Sequence, residues 1–213
     1  MKYPNAYSGV KKLFTAEILG LIGTIALVIA AFAALVTVGA VEAEEEAVGM
    51  ASLGFTAAFG LVGGVLAIIA FIIEIVGLNA GGKDEPLFKT ALTFAIGGVV
   101  VQALASFVSA EIVQKFANTF VPVAKVMLIY YVIEAIRNLA KNLGNRGMVE
   151  KAKGVITIVY VTFGVQILAE VLGQFVVTGK AADVIELVGY ALSIIQFIVY
   201  LSYLSKAKKM LAR

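Results

Sequence analysis

Three glutamates, Glu74, Glu134 and Glu170, interrupt stretches that are otherwise largely apolar. A carboxylate in such a setting can bind a cation, carry a proton or pair with a base. Amides, hydroxyls and further charges recur beside them. One series is Gly98, Gln102, Ser106 and Ser109, and a second is Tyr130, Glu134, Arg137 and Lys141. A third is Thr162, Gln166, Glu170 and Gln174, and a fourth is Glu186, Tyr190, Ser193, Gln196, Tyr200 and Tyr203. Residues three or four apart share one side of a helix, so each series forms a polar stripe. The candidate polar pathway is therefore Glu74, Gln102, Glu134, Gln166, Glu170, Gln196 and Tyr200. Basic groups lie mostly at the helix ends, so such a route favours cations, protons or neutral solutes over anions. A carboxylate near other carboxylates in a low dielectric stays protonated, which would suit proton coupling. The competing account is interhelical glue, with Gln and Ser bonded across helices and Glu134 paired with Arg137 one turn on.

What is missing narrows the chemistry further. The chain has no cysteine, histidine or tryptophan. Disulfides, thiolate nucleophiles and imidazole bases are thereby excluded, together with the commonest metal ligands. No P-loop, nucleophile elbow, HExxH or dinucleotide fingerprint occurs. The expectation is a protein that is not an enzyme, with no cofactor and no metal site. The acidic run Glu42 to Glu46 reads as a solvated loop, since it lacks the turn scaffold of a calcium cage. A net charge of +3 without basic residues interleaved with aromatics gives no footprint for nucleic acid.

The elements that carry these stripes follow from composition. Apolar residues make up 61% of the 213-residue chain and charged ones only 15%. With a mean hydropathy of +0.99, lipid is the expected solvent. The uncharged runs Ile18 to Val41 and Ala47 to Ile73 each exceed the roughly 20 residues that cross a hydrocarbon core. The first is too long for a signal-peptide core and reads as a retained span. The predicted fold is all-α, a polytopic membrane protein with a six-transmembrane-helix bundle in one domain over 1–213. Its spans run approximately over 13–40, 48–79, 86–115, 121–143, 148–177 and 183–210. Gly81-Gly82 and Gly144-Asn145-Arg146-Gly147 supply stops, and Asn118-Thr119 with Pro122 marks a turn. Asp183 and Glu186 resemble a capping box.

With six spans, all of the seventeen Lys and Arg residues except Lys115, Lys125 and Lys180 fall on one side. The positive-inside rule then places both termini in the cytoplasm, in a plasma membrane. Phe71-Ile72-Ile73-Glu74, Tyr131-Val132-Ile133-Glu134 and Phe197-Ile198-Val199-Tyr200 occupy equivalent places in the even spans. Lys89 and Gln102 are spaced like Lys153 and Gln166, so the six spans read as three repeated hairpins of one orientation. Spans one and two instead carry small residues, with Gly20, Gly60 and Gly64 as the expected helix-packing positions. The functional expectation is a small transporter or channel-like protein for a cationic or neutral solute. The alternative is a non-transporting accessory, immunity-type or scaffold protein. The expected partners are membrane lipid, a small solute or ion, and a second copy or another membrane protein.

Overall fold

A computed structural model describes the backbone of residues 1–42, 46–108, 110–175 and 180–212. It describes their side chains except at 38–42, 46–51, 169–175, 180–187, 189 and 190. The described residues form α-helices and turns with no strand. The helices are α1 (Pro4–Glu42), α2 (Glu46–Gly81), α3 (Leu87–Phe107), α4 (Glu111–Asn142), α5 (Arg146–Phe175) and α6 (Lys180–Leu211). Five of them are long and apolar enough, over their described parts, to cross a membrane: α1, α2, α3, α4 and α5. Their length and composition suggest a membrane-embedded protein. At 21 residues, α3 is about 31 Å long, close to the thickness of a hydrocarbon core.

Two compact units share the chain. One comprises Lys12–Val76, and the other comprises Met1–Lys11 with Gly77–Arg213. In the first unit, α1 and α2 approach each other at Gly23 and Gly63. A Cβ on Gly63 would come within 2.9 Å of the Gly23 carbonyl oxygen and 2.7 Å of Leu27 Cγ. Nearer the far end of this hairpin, the hydroxyls of Thr37 and Ser52 lie 2.7 Å apart. Most large apolar side chains here, including Phe32, Leu35 and Leu61, are exposed, as a lipid-facing surface requires. The close contact joins Gly23 and Gly63. A Cβ on Gly20, Gly60 or Gly64 would meet no atom within 4 Å.

The second unit begins with the first turns of α1. The helix starts at Pro4, well before the predicted Leu13, and proline fits a first helical position because its absent N–H has no intrahelical acceptor there. Asp84 completes this terminus. Its carboxylate accepts the Ala6 amide at 2.8 Å and the Asn5 side-chain amide at 2.9 Å. Negative charge is favoured at that end of a helix. Beside it, Gly9 packs directly on backbone: a Cβ would lie 2.6 Å from Gly77 O and 2.8 Å from Gly81 N. Gly77 and Gly81 form a small-xxx-small pair, of which the sequence pattern marked only Gly81, as a helix stop.

Within this unit α3 packs on α4, α4 on α5 and α5 on α6. The α3–α4 break falls at 108–110, which corrects the predicted turn at Asn118, Thr119 and Pro122. Those three residues lie inside α4, and Pro122 is an interior helical residue. Proline removes the amide that would bond Asn118 O, a loss that membrane helices tolerate. Gln114 secures the actual break by donating its side-chain amide to Ala105 O at 2.6 Å and Val108 O at 3.2 Å, the carbonyls that close α3. The α4–α5 turn is tight. Gly144 has φ +68°, Asn145 N bonds Ala140 O and Gly144 N bonds Lys141 O, a Schellman arrangement. Asn145 then caps α5 through its side-chain oxygen and the Met148 amide at 3.1 Å. α6 begins at Lys180, so Asp183 is already helical and does not precede the helix; its side chain lies outside the described residues.

Glycine substitutions distinguish the contacts the structure makes from those expected. Gly9→Ala and Gly63→Ala should each destabilise the protein by about 1–3 kcal/mol through overpacking. Gly60→Ala should be neutral or stabilising by up to about 1 kcal/mol, since alanine is the better helix former. Thermal denaturation in detergent, followed by circular dichroism, measures both. Equal effects at Gly9 and Gly60 would refute the packing described.

Candidate functional site

The polar stripes meet most closely where α4, α5 and α6 pack. Glu134 lies roughly 12 Å along the axis from the end of α4 at Asn142. Its Oε1 accepts from Arg137 Nη1 at 2.6 Å. The two side chains are 12% and 26% exposed. The immediate neighbour of Glu134 among the described residues is therefore a guanidinium. α4 positions this pair because Val132, Ile133, Ala135, Ile136 and Leu139 are buried around it and hold the helix in register.

Tyrosines surround the ion pair. Tyr203 of α6 is buried, and its hydroxyl donates to Ile133 O of α4 at 3.4 Å. Tyr130 meets Tyr131 edge-on at 5.2 Å and Tyr160 of α5 at 5.9 Å. Tyr131 in turn stacks on Phe94 of α3 at 5.6 Å. Tyr200, one turn before Tyr203, is buried and has a polar or ring partner of its own.

Farther along α5, Thr162 is buried at 1% exposure, and Gln166 follows one turn later. Gln166 donates its amide to Ser193 Oγ of α6 at 2.8 Å. Two buried polar atoms in this region have no hydrogen-bond partner among the described residues: Arg137 Nε and Thr162 Oγ1. Buried donors and hydroxyls are ordinarily satisfied, and leaving one unpaired costs about 1–3 kcal/mol. They can be satisfied by water or by the oxygen and nitrogen atoms of a small solute.

The candidate residues do not all converge. Glu134, Gln166, Gln196 and Tyr200 belong to the α4–α6 region, with Gln196 half-buried and Gln166 exposed despite its bond. Gln102 is exposed on α3. Glu74 belongs to the other compact unit, where it is half-buried and has an interaction of its own. Glu170 lies in α5, with its side chain outside the described residues. The sequence pattern did not mark Tyr160 or Gln114. Thr162 was legible as the start of the α5 stripe, but nothing in its spacing marked it as unpartnered. No group of three or more acidic residues suited to a metal ion occurs among the described residues.

The ion pair yields a stability prediction. Arg137→Ala leaves Glu134 uncompensated and should cost about 3 kcal/mol, whereas Glu134→Leu combined with Arg137→Leu should recover most of that loss. Chemical denaturation of purified protein in detergent measures the cycle. A double variant no more stable than Arg137→Ala alone would show that the pair is not the relevant unit.

No protein-family model matches the chain, and no curated protein or solved structure is significantly similar to it. The functional reading therefore rests on the geometry of these residues.

Proposed function

We propose that this is a six-span plasma-membrane protein with both termini in the cytoplasm. In this reading it moves a small neutral or cationic solute along a polar track between α4, α5 and α6. The observation that carries the proposal is the pair of unpartnered buried atoms, Arg137 Nε and Thr162 Oγ1. In a membrane no bulk water reaches such atoms, so a chain of waters or a passing solute is their natural complement. The polar series from Gln166 and Ser193 through Thr162 to Tyr130, Tyr203 and Glu134 supplies donors and acceptors along one direction. Because Arg137 balances Glu134, the track favours a neutral hydrogen-bonding solute, with cations second. α6 serves as the sixth span, and the repeated-hairpin relation of α1–α2, α3–α4 and α5–α6 belongs to the same proposal.

A second reading is supported by a different observation. Gln166 bonds Ser193, and Tyr203 bonds Ile133, so part of the polar track satisfies itself. In that reading the protein is a non-transporting accessory or scaffold, and exposed polar positions such as Gln102 meet a partner membrane protein or a second copy.

Reconstitution separates the two. Liposomes containing the purified protein should take up glycerol or a small cation faster than empty liposomes. Thr162→Val and Glu134→Gln should each reduce that uptake by tenfold or more, a loss of about 1.4 kcal/mol in barrier terms. No uptake of protons, sodium, potassium or glycerol above background would refute transport and leave the scaffold reading.

A further inference from the structure

The seventeen cationic side chains do not all find carboxylates. Lys115 pairs with Glu111, Lys153 with Glu150 and Arg137 with Glu134. Lys2, Lys151, Lys206 and Lys209 have no salt bridge among the described residues, and these four converge on one concavity of about 420 Å³. Three separate parts of the chain bring them there: the segment ahead of α1, the first turns of α5 and the last turns of α6. All three belong to the same compact unit. No acidic residue lines the concavity.

Beside Tyr3, Asn145 and Gly147, the rest of its wall is apolar. Met148, Met210 and Leu211 are buried at 5%, 9% and 2% exposure and form part of the lining. The α4–α5 turn closes one side, where the Schellman turn at Gly144 and the Asn145 cap fix the backbone. Four like charges around a preformed hollow repel one another, and an anion relieves that repulsion. An inorganic anion has no use for the apolar lining, whereas a lipid has both a charged headgroup and a hydrocarbon stem. The hollow lies where α4 ends and α5 begins, both helices long and apolar enough to cross a membrane, and the ends of such helices meet lipid headgroups.

From the convergence of these lysines on a partly apolar hollow, we infer that the α4–α5 turn, the end of α6 and the N-terminal segment form a binding site for the phosphate headgroup of an anionic lipid. Lys2 also lies 5.6 Å from the ring centroid of Tyr3, which lines the same hollow and gives this otherwise terminal side chain a defined place. The inference does not depend on whether the α4–α6 track conducts. It requires only that these helix ends lie at a membrane surface.

Native mass spectrometry of the full-length protein released from micelles tests this, with phosphatidylglycerol, phosphatidylcholine or inorganic phosphate added. Phosphatidylglycerol should bind in preference to phosphatidylcholine, with one site clearly tighter than the rest. Each of Lys151→Gln, Lys206→Gln and Lys209→Gln should weaken that site about fivefold. Lys115→Gln and Lys153→Gln, which remove paired lysines elsewhere, should leave it unchanged. Lys206→Arg should retain binding, which separates lost charge from lost folding. Equal binding of both lipids, or equal weakening by Lys115→Gln, would overturn the site. Competition by inorganic phosphate at the concentrations at which the lipid binds would reassign it to a soluble anion and overturn the lipid identification.

Discussion

A chain dissolved in lipid cannot leave backbone or side-chain polar groups to bulk water, and this constraint organises the whole structure. It explains why the described chain is helical throughout, since a helix satisfies its own backbone. It also explains why the helix ends are so carefully completed. Asp84 closes the start of α1, Gln114 closes the end of α3, and Gly144 with Asn145 ends α4 and caps α5. Each of these side chains satisfies groups that would otherwise be stranded at a helix terminus. The same constraint makes Glu134 and Arg137 partners, because either charge alone would be expensive at that depth.

Against that background the two unpartnered atoms are informative. In a structure that closes its termini with dedicated side chains, an unbonded guanidinium nitrogen and an unbonded threonine hydroxyl stand out. A threonine inside a helix usually returns its hydroxyl to the carbonyl four residues back, as Thr24, Thr56, Thr93, Thr119 and Thr157 do here. Thr162 does not. The contrast arises within one chain and under one set of packing rules, which is why the proposed track is centred there and not on the more conspicuous glutamates.

The helical class was legible from hydropathy, because apolar length is a one-dimensional property that α1 to α5 carry over their described parts. The α4–α5 turn was legible from Gly144, whose positive φ few other residues adopt. The α3–α4 break was not. It contains neither glycine nor proline and is closed by Gln114, a residue whose type gives no warning. Pro122 misled for the opposite reason, since a membrane helix absorbs a proline that would end many soluble ones. The packing glycines show a similar limit. Spacing alone makes Gly60 and Gly64 as good a pair as Gly77 and Gly81, and only the neighbouring helix decides which pair is used. The stripe on α4 pointed correctly to Glu134 and Arg137 as a pair, but the aromatic surround from Phe94 to Tyr160 joins three helices and has no linear signature.

The central claim is that polar groups between α4, α5 and α6 are wet. The absence of native cysteine allows this to be measured directly, because an introduced thiol is then the only one in the protein. The single variant Thr162→Cys should react with a small, water-soluble, charged methanethiosulfonate when the protein is in a bilayer. Ile198→Cys and Val123→Cys, at exposed apolar positions of α6 and α4, should resist it in the lipid. Protection of Thr162→Cys to the same degree as Ile198→Cys would show a dry interior and contradict the account.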